Sequence, residues 1–196
     1  MKKSLVIGIV VVSIIAIAYF GFKGFYNGMV KAEEQVNAQW GNVENQYQRR
    51  ADLVPNLVAT VKGYAEHEQS TLEGVIEARA KATQVSIDPT NLNEQTMAQF
   101  QQVQGELGSA INRLLVSVEA YPDLKANQNF LDLQAQLEGT ENRIATERTR
   151  FNESAQKYNA LIRSFPTNLV ANMFGFYAKP YFKSQEGADK APEVKF

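Results

Sequence analysis

The chain begins with a long apolar segment and then continues with alternating apolar and polar positions. Residues 4–22, SLVIGIVVVSIIAIAYFGF, carry no charged side chain. As a helix this segment is roughly 28 Å long, close to the hydrocarbon thickness of a bilayer. A cleaved signal peptide is the alternative, but its apolar core is usually only about 7 to 15 residues long. We therefore predict an uncleaved transmembrane helix.

The charges that flank this segment favour one orientation. Lys2 and Lys3 precede the apolar run, whereas Lys23 and Lys31 follow it. Positive charge beside a membrane helix favours the cytoplasmic side. With the α-amino group included, the N-terminal side has a small excess, so we expect a cytoplasmic N-terminus and an extracytoplasmic body.

Beyond Gly28, apolar positions recur at steps of three and four residues, as on a helix packed in a bundle or coiled coil. The first such row consists of Val36, Trp40, Val43, Tyr47, Arg50, Val54, Leu57, Val61 and Tyr64. The row keeps its phase across Pro55. Because an internal proline removes a donor and crowds the preceding turn, we predict a helix kinked at Pro55. The alternative is a new helix with Asp52 as its N-cap.

Further helices follow, separated by loop signals. Ser70 and Glu73 fit a capping box, residues 85–95 resemble a loop, Asn127 is a candidate N-cap and Pro166 ends the last long helix. The helix after the loop has an apolar row of Phe100, Leu107, Ile111, Leu114, Leu115 and Val118. The last helix has Phe130, Leu133, Leu137, Ile144, Phe151, Ala155, Tyr158, Ile162 and Phe165.

These patterns predict an all-α fold, since no strand pattern of any strength accompanies them. We expect a transmembrane helix, a bundle of three to four long helices and a short C-terminal helical segment. The predicted divisions are an N-terminal flank (1–3), the membrane helix (4–22), the helical bundle (23–183) and a polar tail (184–196).

Composition excludes several classes of function. The 20 Lys and Arg residues balance 21 Asp and Glu residues, which argues against a nucleic-acid-binding face. There is no cysteine and only one histidine, His67. Its neighbours Glu66 and Glu68 point in other directions on a helix, so they cannot converge on one metal ion. We predict no metal, no cofactor and no catalytic residues, because Glu-x-x-His pairs and glycine-rich phosphate loops are also absent.

Charged residues within the apolar rows are the sharpest candidates for a site. Arg50 shares its row with aliphatic residues, while Glu141 and Arg148 occupy row positions of the last helix. If the two helices face each other, one carboxylate can bridge two guanidinium groups. We favour a structural polar cluster that fixes helix alignment. A substrate or anion site is the alternative.

The C-terminal stretch from residue 173 to 182, MFGFYAKPYF, is rich in aromatic side chains. The favoured interpretation is that these rings fold back and cover the end of the bundle. Alternatively, they contact a partner or the membrane, since aromatic residues interleaved with lysines suit the headgroup region. The residues concerned are Phe174, Phe176, Tyr177, Lys179, Tyr181 and Phe182.

Several long motifs of this chain resemble the LemA family of bacterial membrane-anchored helical proteins. They are YNGMVKAEEQVNAQWGNVENQYQRRADLVPNLVATVKGYAEHE (26–68), VEAYPDLKANQNFLDLQAQLEGTENRIA (118–145), YNALIRSFPTNLVA (158–171) and the ending APEVKF. The resemblance implies an antiparallel helical bundle behind a membrane segment. The lipobox cysteine of lipidated relatives is missing, so no lipid anchor is expected.

The resemblance implies no enzymatic activity, since none is established for the family. Relatives are associated with envelope metalloproteases and, in some bacteria, with internal-membrane formation. We therefore expect a non-enzymatic scaffold in the bacterial cell membrane, which self-assembles and organises or shapes the bilayer. The alternative is an adaptor that binds an envelope protease or another membrane protein through its bundle.

Overall fold

A computed structural model describes residues 2–65 and 68–183 of the chain. Its helices are α1 (Lys2–Lys62), α2 (Gln69–Gln84), α3 (Glu94–Ser117), α4 (Pro122–Lys125), α5 (Gln128–Arg163) and α6 (Thr167–Phe174). Short 3₁₀ turns at Pro89–Asn91 and Val118–Ala120 lie between them. The described residues form no strand. The all-α prediction is confirmed, while His67 and the tail 184–196 lie outside the described residues.

Helix α1 extends without interruption from the membrane segment into the bundle. It contains 61 residues, and Pro55 lies inside it. The new helix start at Asp52 is therefore not observed, and a kink at Pro55 stays a prediction. The N-terminal part is apolar and exposed, with a mean hydropathy of 2.7 over its most apolar window, so α1 is long and apolar enough to cross a membrane.

The helix ends follow local capping chemistry, with one departure from expectation. Asn127 caps α5 as predicted, since its side chain accepts a hydrogen bond from the Phe130 amide at 3.1 Å. The predicted capping box of Ser70 and Glu73 is wrong. Helix α2 begins at Gln69, which leaves Ser70 inside the first turn, and Glu68 holds the N-cap position without a side-chain cap.

The bundle is antiparallel, and its helices pack in the order α5, α1, α2 and α3. Gln39 of α1 donates to Glu147 of α5 at 2.6 Å, whereas Arg50, further along α1, meets Glu141, which comes earlier in α5. Helix α5 therefore returns toward the membrane end of α1. The two outer helices of this order, α3 and α5, flank an open groove.

Two apolar cores stabilise the bundle on either side of Arg50. The membrane-proximal core contains Trp40, Phe100 and Phe151, and the distal core contains Leu57 and Leu107. The buried positions of α1 before residue 50 belong to the first core, and those after it belong to the second. Arg50 thus lies at the boundary between them.

Candidate functional site

Arg50 is the centre of a polar layer, a name we use for Arg50, Gln104 and Glu141. The Arg50 side chain is 5% exposed. Its Nη1 donates to Glu141 Oε1 at 2.8 Å, and its Nη2 donates to the Gln104 carbonyl at 2.7 Å and to Gln104 Oε1 at 2.8 Å. The guanidinium also lies over the Tyr47 ring, 5.1 Å from its centroid. One side chain of α1 therefore holds both α3 and α5.

Gln104 extends the polar layer to α2, because its Nε2 donates to the Ala82 carbonyl at 3.3 Å. Gln104 is itself buried. A buried amide that both accepts from Arg50 and donates to α2 fixes three helices in one register. Sequence reasoning missed Gln104, although it lies four residues after Phe100 and three before Leu107 in the apolar row of α3.

The polar layer is buried at Arg50 and Gln104 but open to solvent at Glu141. The Glu141 side chain is 51% exposed, although the apolar row of α5 predicts that it faces the helix interface. The buried positions of α5 proceed from Leu137 to Thr140 and Ile144, so Thr140 takes the inward position and Glu141 lies beside it. The prediction that Glu141 lies in the apolar row is therefore wrong, although the carboxylate still reaches Arg50.

Arg148 does not share the Glu141 carboxylate. Among the described residues these two form no ion pair, because seven residues of helix separate them by about 10 Å. Arg148 instead donates to the Lys183 carbonyl at 2.8 Å and covers the Phe182 ring at 4.8 Å from its centroid. The expected bridge between two guanidinium groups is not formed.

Tyr47 lies between these two arginines, next to the polar layer. Burial raises the pKa of its hydroxyl, and the nearby Arg148 and Arg50 partly offset that effect. The phenol therefore stays neutral at physiological pH and contributes packing and a hydrogen-bonding group, not a charge.

The groove between α3 and α5 has a volume of about 1500 Å³. Tyr47 and Arg50 form part of its floor. Small and amide side chains of α3 form one wall, namely Ala98, Gln101, Gly105, Gly108, Ser109 and Asn112. A Cβ at Gly108 would lie 3.4 Å from Arg50 Nη1, so glycine there lets α3 approach the guanidinium closely. The α5 wall includes Leu137 and Glu138. Small side chains beside apolar ones suit a helix as ligand.

The chemistry that the groove offers comes from its polar and charged side chains. In the part of the chain that the structure describes, no three His, Asp or Glu side chains come close enough to hold a metal ion. The ionisable groups of the polar layer are an ion pair engaged in holding helices. The arrangement offers hydrogen bonding and shape, which are the properties of a binding surface.

The aromatic C-terminal segment divides into a buried part and an exposed part. Phe182 is buried, and its ring lies 5.9 Å from Trp40 and 5.4 Å from Phe151. Lys179 is buried as well, with its Nζ 2.7 Å from Glu33. These two residues fold back onto the bundle, as the favoured interpretation has it.

The remaining members of the predicted aromatic set lie nearer the surface. Phe176 is partly buried, with its ring 5.7 Å from that of Tyr26. Tyr181 is 39% exposed, and its hydroxyl accepts from Asn159 at 3.1 Å. Phe174 and Tyr177 are 50% and 79% exposed.

Two asparagines of α5 bind the backbone of the extended segment, residues 176–183, and hold it in place. Neither asparagine was predicted from the sequence. Asn159 donates to the Lys179 carbonyl and accepts from the Lys179 amide, each at 2.8 Å. Asn152 makes the same pair of bonds with Phe182, at 3.0 and 2.8 Å. The seven-residue spacing, two helical turns, places both amides on one face of α5. That spacing is the trace that the arrangement leaves in the sequence.

These features define a class of protein: an antiparallel helical bundle whose first helix begins with a segment long and apolar enough to cross a membrane. The model of the LemA family matches residues 39–196 of the chain. The chain belongs to the LemA family. Together with the apolar N-terminal part of α1, this membership makes it a membrane-associated protein.

Relatives of known name are similar over most of the chain. The magnetosome protein MamQ of Magnetospirillum gryphiswaldense is 28% identical over 181 residues, which cover 84% of this chain. Protein LemA of Metamycoplasma hominis is 25% identical over 172 residues, or 88% of this chain and 75% of its own length. The match spans 66% of the length of MamQ, just under two thirds.

Proposed function

We propose that this protein is a non-enzymatic, membrane-anchored scaffold that self-assembles and organises or shapes the bacterial membrane. The observation that carries the proposal is the continuity of α1, which extends from Lys2 to Lys62 as one helix. No loop separates the membrane segment from the bundle within that range. A rigid connection transmits the position and tilt of the membrane helix to the body, which a scaffold requires and a tethered enzyme does not.

The exposed surface of α1 just after the predicted membrane segment would allow the helices of two copies to pack together. At Gly24 and Gly28 an added Cβ would meet no described atom within 4 Å, so this surface of the helix is open. Glycines four residues apart let membrane helices approach closely. The relatives named as magnetosome proteins support a role in membrane organisation by likeness. We place the body on the extracytoplasmic side, on the flanking lysines described above.

Cross-linking with mass spectrometry on the full chain in its native membrane tests this proposal. We expect dominant links between identical chains, joining residues too far apart to be linked within one copy. Replacing Gly24 and Gly28 together with leucine should lower the yield of these links, whereas Gly139→Leu, at an exposed position of α5 where an added Cβ would meet nothing within 4 Å, should not. An absence of self-links in the unaltered protein would refute self-assembly. Unchanged self-links in the double variant would refute only the glycine contact.

The groove between α3 and α5 favours a second candidate, an adaptor for an envelope protease or another membrane protein. Its wall of small residues and its apolar lining side chains Ile111, Leu115 and Leu137 suit an amphipathic helix of the partner. In the same experiment, an adaptor would give dominant links to one other protein. Ser109→Trp should abolish them by filling the groove, while Gln99→Trp, on an exposed part of α3 outside the groove, should preserve them. Links that persist in Ser109→Trp would rule out the groove.

A further inference from the structure

We infer that the exposed apolar face of α6 and the turns on either side of it form a second contact with the lipid bilayer, beside the transmembrane helix. The face consists of Phe165, Leu169, Met173, Phe174 and Tyr177. We call it the α6 face. The inference requires the membrane anchor but not self-assembly, so the two proposals can fail separately.

The α6 face is unusually apolar for a solvent-exposed surface. Phe165 is 81% exposed, Met173 is 73% exposed and Tyr177 is 79% exposed. Helix α6 contains no charged residue. Its other side is buried against the bundle through Val170 and Ala171. Contiguous exposed apolar side chains mark an interaction surface, because a protein in water normally hides them.

Contacts with α1 place this face at the level where the chain leaves the membrane. The Phe174 ring lies 5.6 Å from Phe22 and 5.1 Å from Tyr26, both measured between centroids. Phe22 is the last residue of the uncharged segment, and Tyr26 lies one turn beyond it. A bilayer crossed by residues 4–22 therefore ends beside Phe174.

The antiparallel pairing of α5 with α1 brings Phe165 to the same level. Pairing of Arg50 with Glu141 and of Gln39 with Glu147 shows that α5 descends toward the membrane. Helix α5 ends at Arg163, and the turn at Phe165 follows directly. Both ends of α6 thus lie at the membrane-proximal end of the bundle.

The chemistry of the α6 face fits lipid better than a protein partner. Aromatic rings and a phenol next to aliphatic side chains suit the boundary between headgroups and acyl chains. Phe25 and Tyr26 of α1, each 37% exposed, extend the same aromatic surface around the membrane exit. Because the face adjoins a helix already inserted in the bilayer, lipid is its immediate surrounding.

Single-cysteine labelling gives a direct test, since the native chain contains no cysteine. The probe is an environment-sensitive fluorophore on Met173→Cys in the full chain, reconstituted in phosphatidylethanolamine and phosphatidylglycerol vesicles. The matched control is Val116→Cys, an apolar position 62% exposed at the distal end of α3. Nitroxide-bearing lipids, with the nitroxide near the headgroup, serve as quenchers. The fluorescence of Trp40 reports whether each labelled protein keeps its core.

The Met173 label should show blue-shifted emission and lose most of it to the lipid nitroxide, while the Val116 label keeps its emission. Equal, weak quenching at both positions would overturn the inference. A blue-shifted Met173 label that lipid does not quench would mean that protein covers the face, which also overturns it. Adding Leu169→Glu to the Met173→Cys protein should relieve the quenching. Unchanged quenching there would exclude the α6 face as the contact.

Discussion

Replacing Arg50 with alanine removes the side chain that joins α1 to α3 and α5. Its guanidinium donates three hydrogen bonds, of 2.8, 2.7 and 2.8 Å. Hydrogen bonds to charged groups contribute about 1.5–3 kcal/mol each but are not additive, and the buried Gln104 side-chain oxygen would lose its donor. We expect Arg50→Ala to lower the free energy of unfolding by about 3–5 kcal/mol. That is a large share of the roughly 5–15 kcal/mol typical of a domain.

Because Glu141, the other member of the ion pair, is half exposed, replacing it should lower the free energy of unfolding much less. Its side chain is 51% exposed, so water can replace much of the interaction. Glu141→Gln keeps an acceptor oxygen and should therefore cost about 1 kcal/mol or less. The contrast between the two variants isolates the buried bonds to Gln104 from the half-exposed ion pair.

Urea unfolding of the full chain in lipid nanodiscs measures both changes through the fluorescence of Trp40, the single tryptophan. Arg113→Ala, an exposed arginine of α3, serves as the control and should change stability by less than about 0.5 kcal/mol. Equal losses in Arg50→Ala and Glu141→Gln would refute this reasoning, because the ion pair would then carry the whole effect. So would an Arg50→Ala protein within about 1 kcal/mol of the parent.

Other predictions concern the C-terminal segment and one carboxylate. Asn159→Ala removes two bonds to Lys179, so it should cost about 2 kcal/mol and speed proteolysis within residues 175–183; an unchanged cleavage rate would contradict it. Phe182→Ala should cost about 3–5 kcal/mol in urea unfolding because its ring packs on Trp40, and a loss below about 1 kcal/mol would show that the ring is not a core element. Burial raises the pKa of Glu44 above its ordinary 4.5, so the folded state holds the proton more tightly and stability falls as pH rises through the raised value. Glu44→Gln should therefore raise the urea midpoint more at about pH 7 than at about pH 4, and an equal change at both would exclude this cause.

The sequence predicted the buried surface of the long helices well. In the first row, every position from Val36 to Val61 is buried, and only Tyr64 is exposed, at 47%. In the last row, Ile162 is buried but Phe165 is 81% exposed. These two apolar exceptions, Tyr64 and Phe165, lie just beyond the ends of their helices, since α1 ends at Lys62 and α5 ends at Arg163. Periodicity describes a helix while it lasts, but it does not show where the backbone leaves the helix.

The polar layer and the C-terminal segment were harder to predict, for different reasons. Between Leu137 and Ile144, which are both buried, the inward step can fall on residue 140 or on residue 141, because a spacing of three or of four residues keeps a side chain on the same helix face. In the structure Thr140 takes that position, and Glu141 does not. The extended segment after Gly175 is not helical, so its sequence has no helical period. Its backbone makes hydrogen bonds with side-chain amides on α5 instead. Tertiary contacts of this kind leave little trace in a single sequence.

The two membrane contacts, one predicted for α1 and one inferred for α6, bear on how the body is held. A single transmembrane helix fixes the depth of the bundle but leaves it free to rotate about the helix axis. A second contact on one side of that axis restricts both tilt and rotation. Because Phe174 lies directly against Phe22, any tilt of α1 in the bilayer moves α6 with it. If the α6 face rests on lipid, copies in one membrane share a common orientation, and this lowers the entropic cost of lateral assembly. The quenching experiment on α6 therefore also tests a condition that favours the proposed assembly but is not required for it.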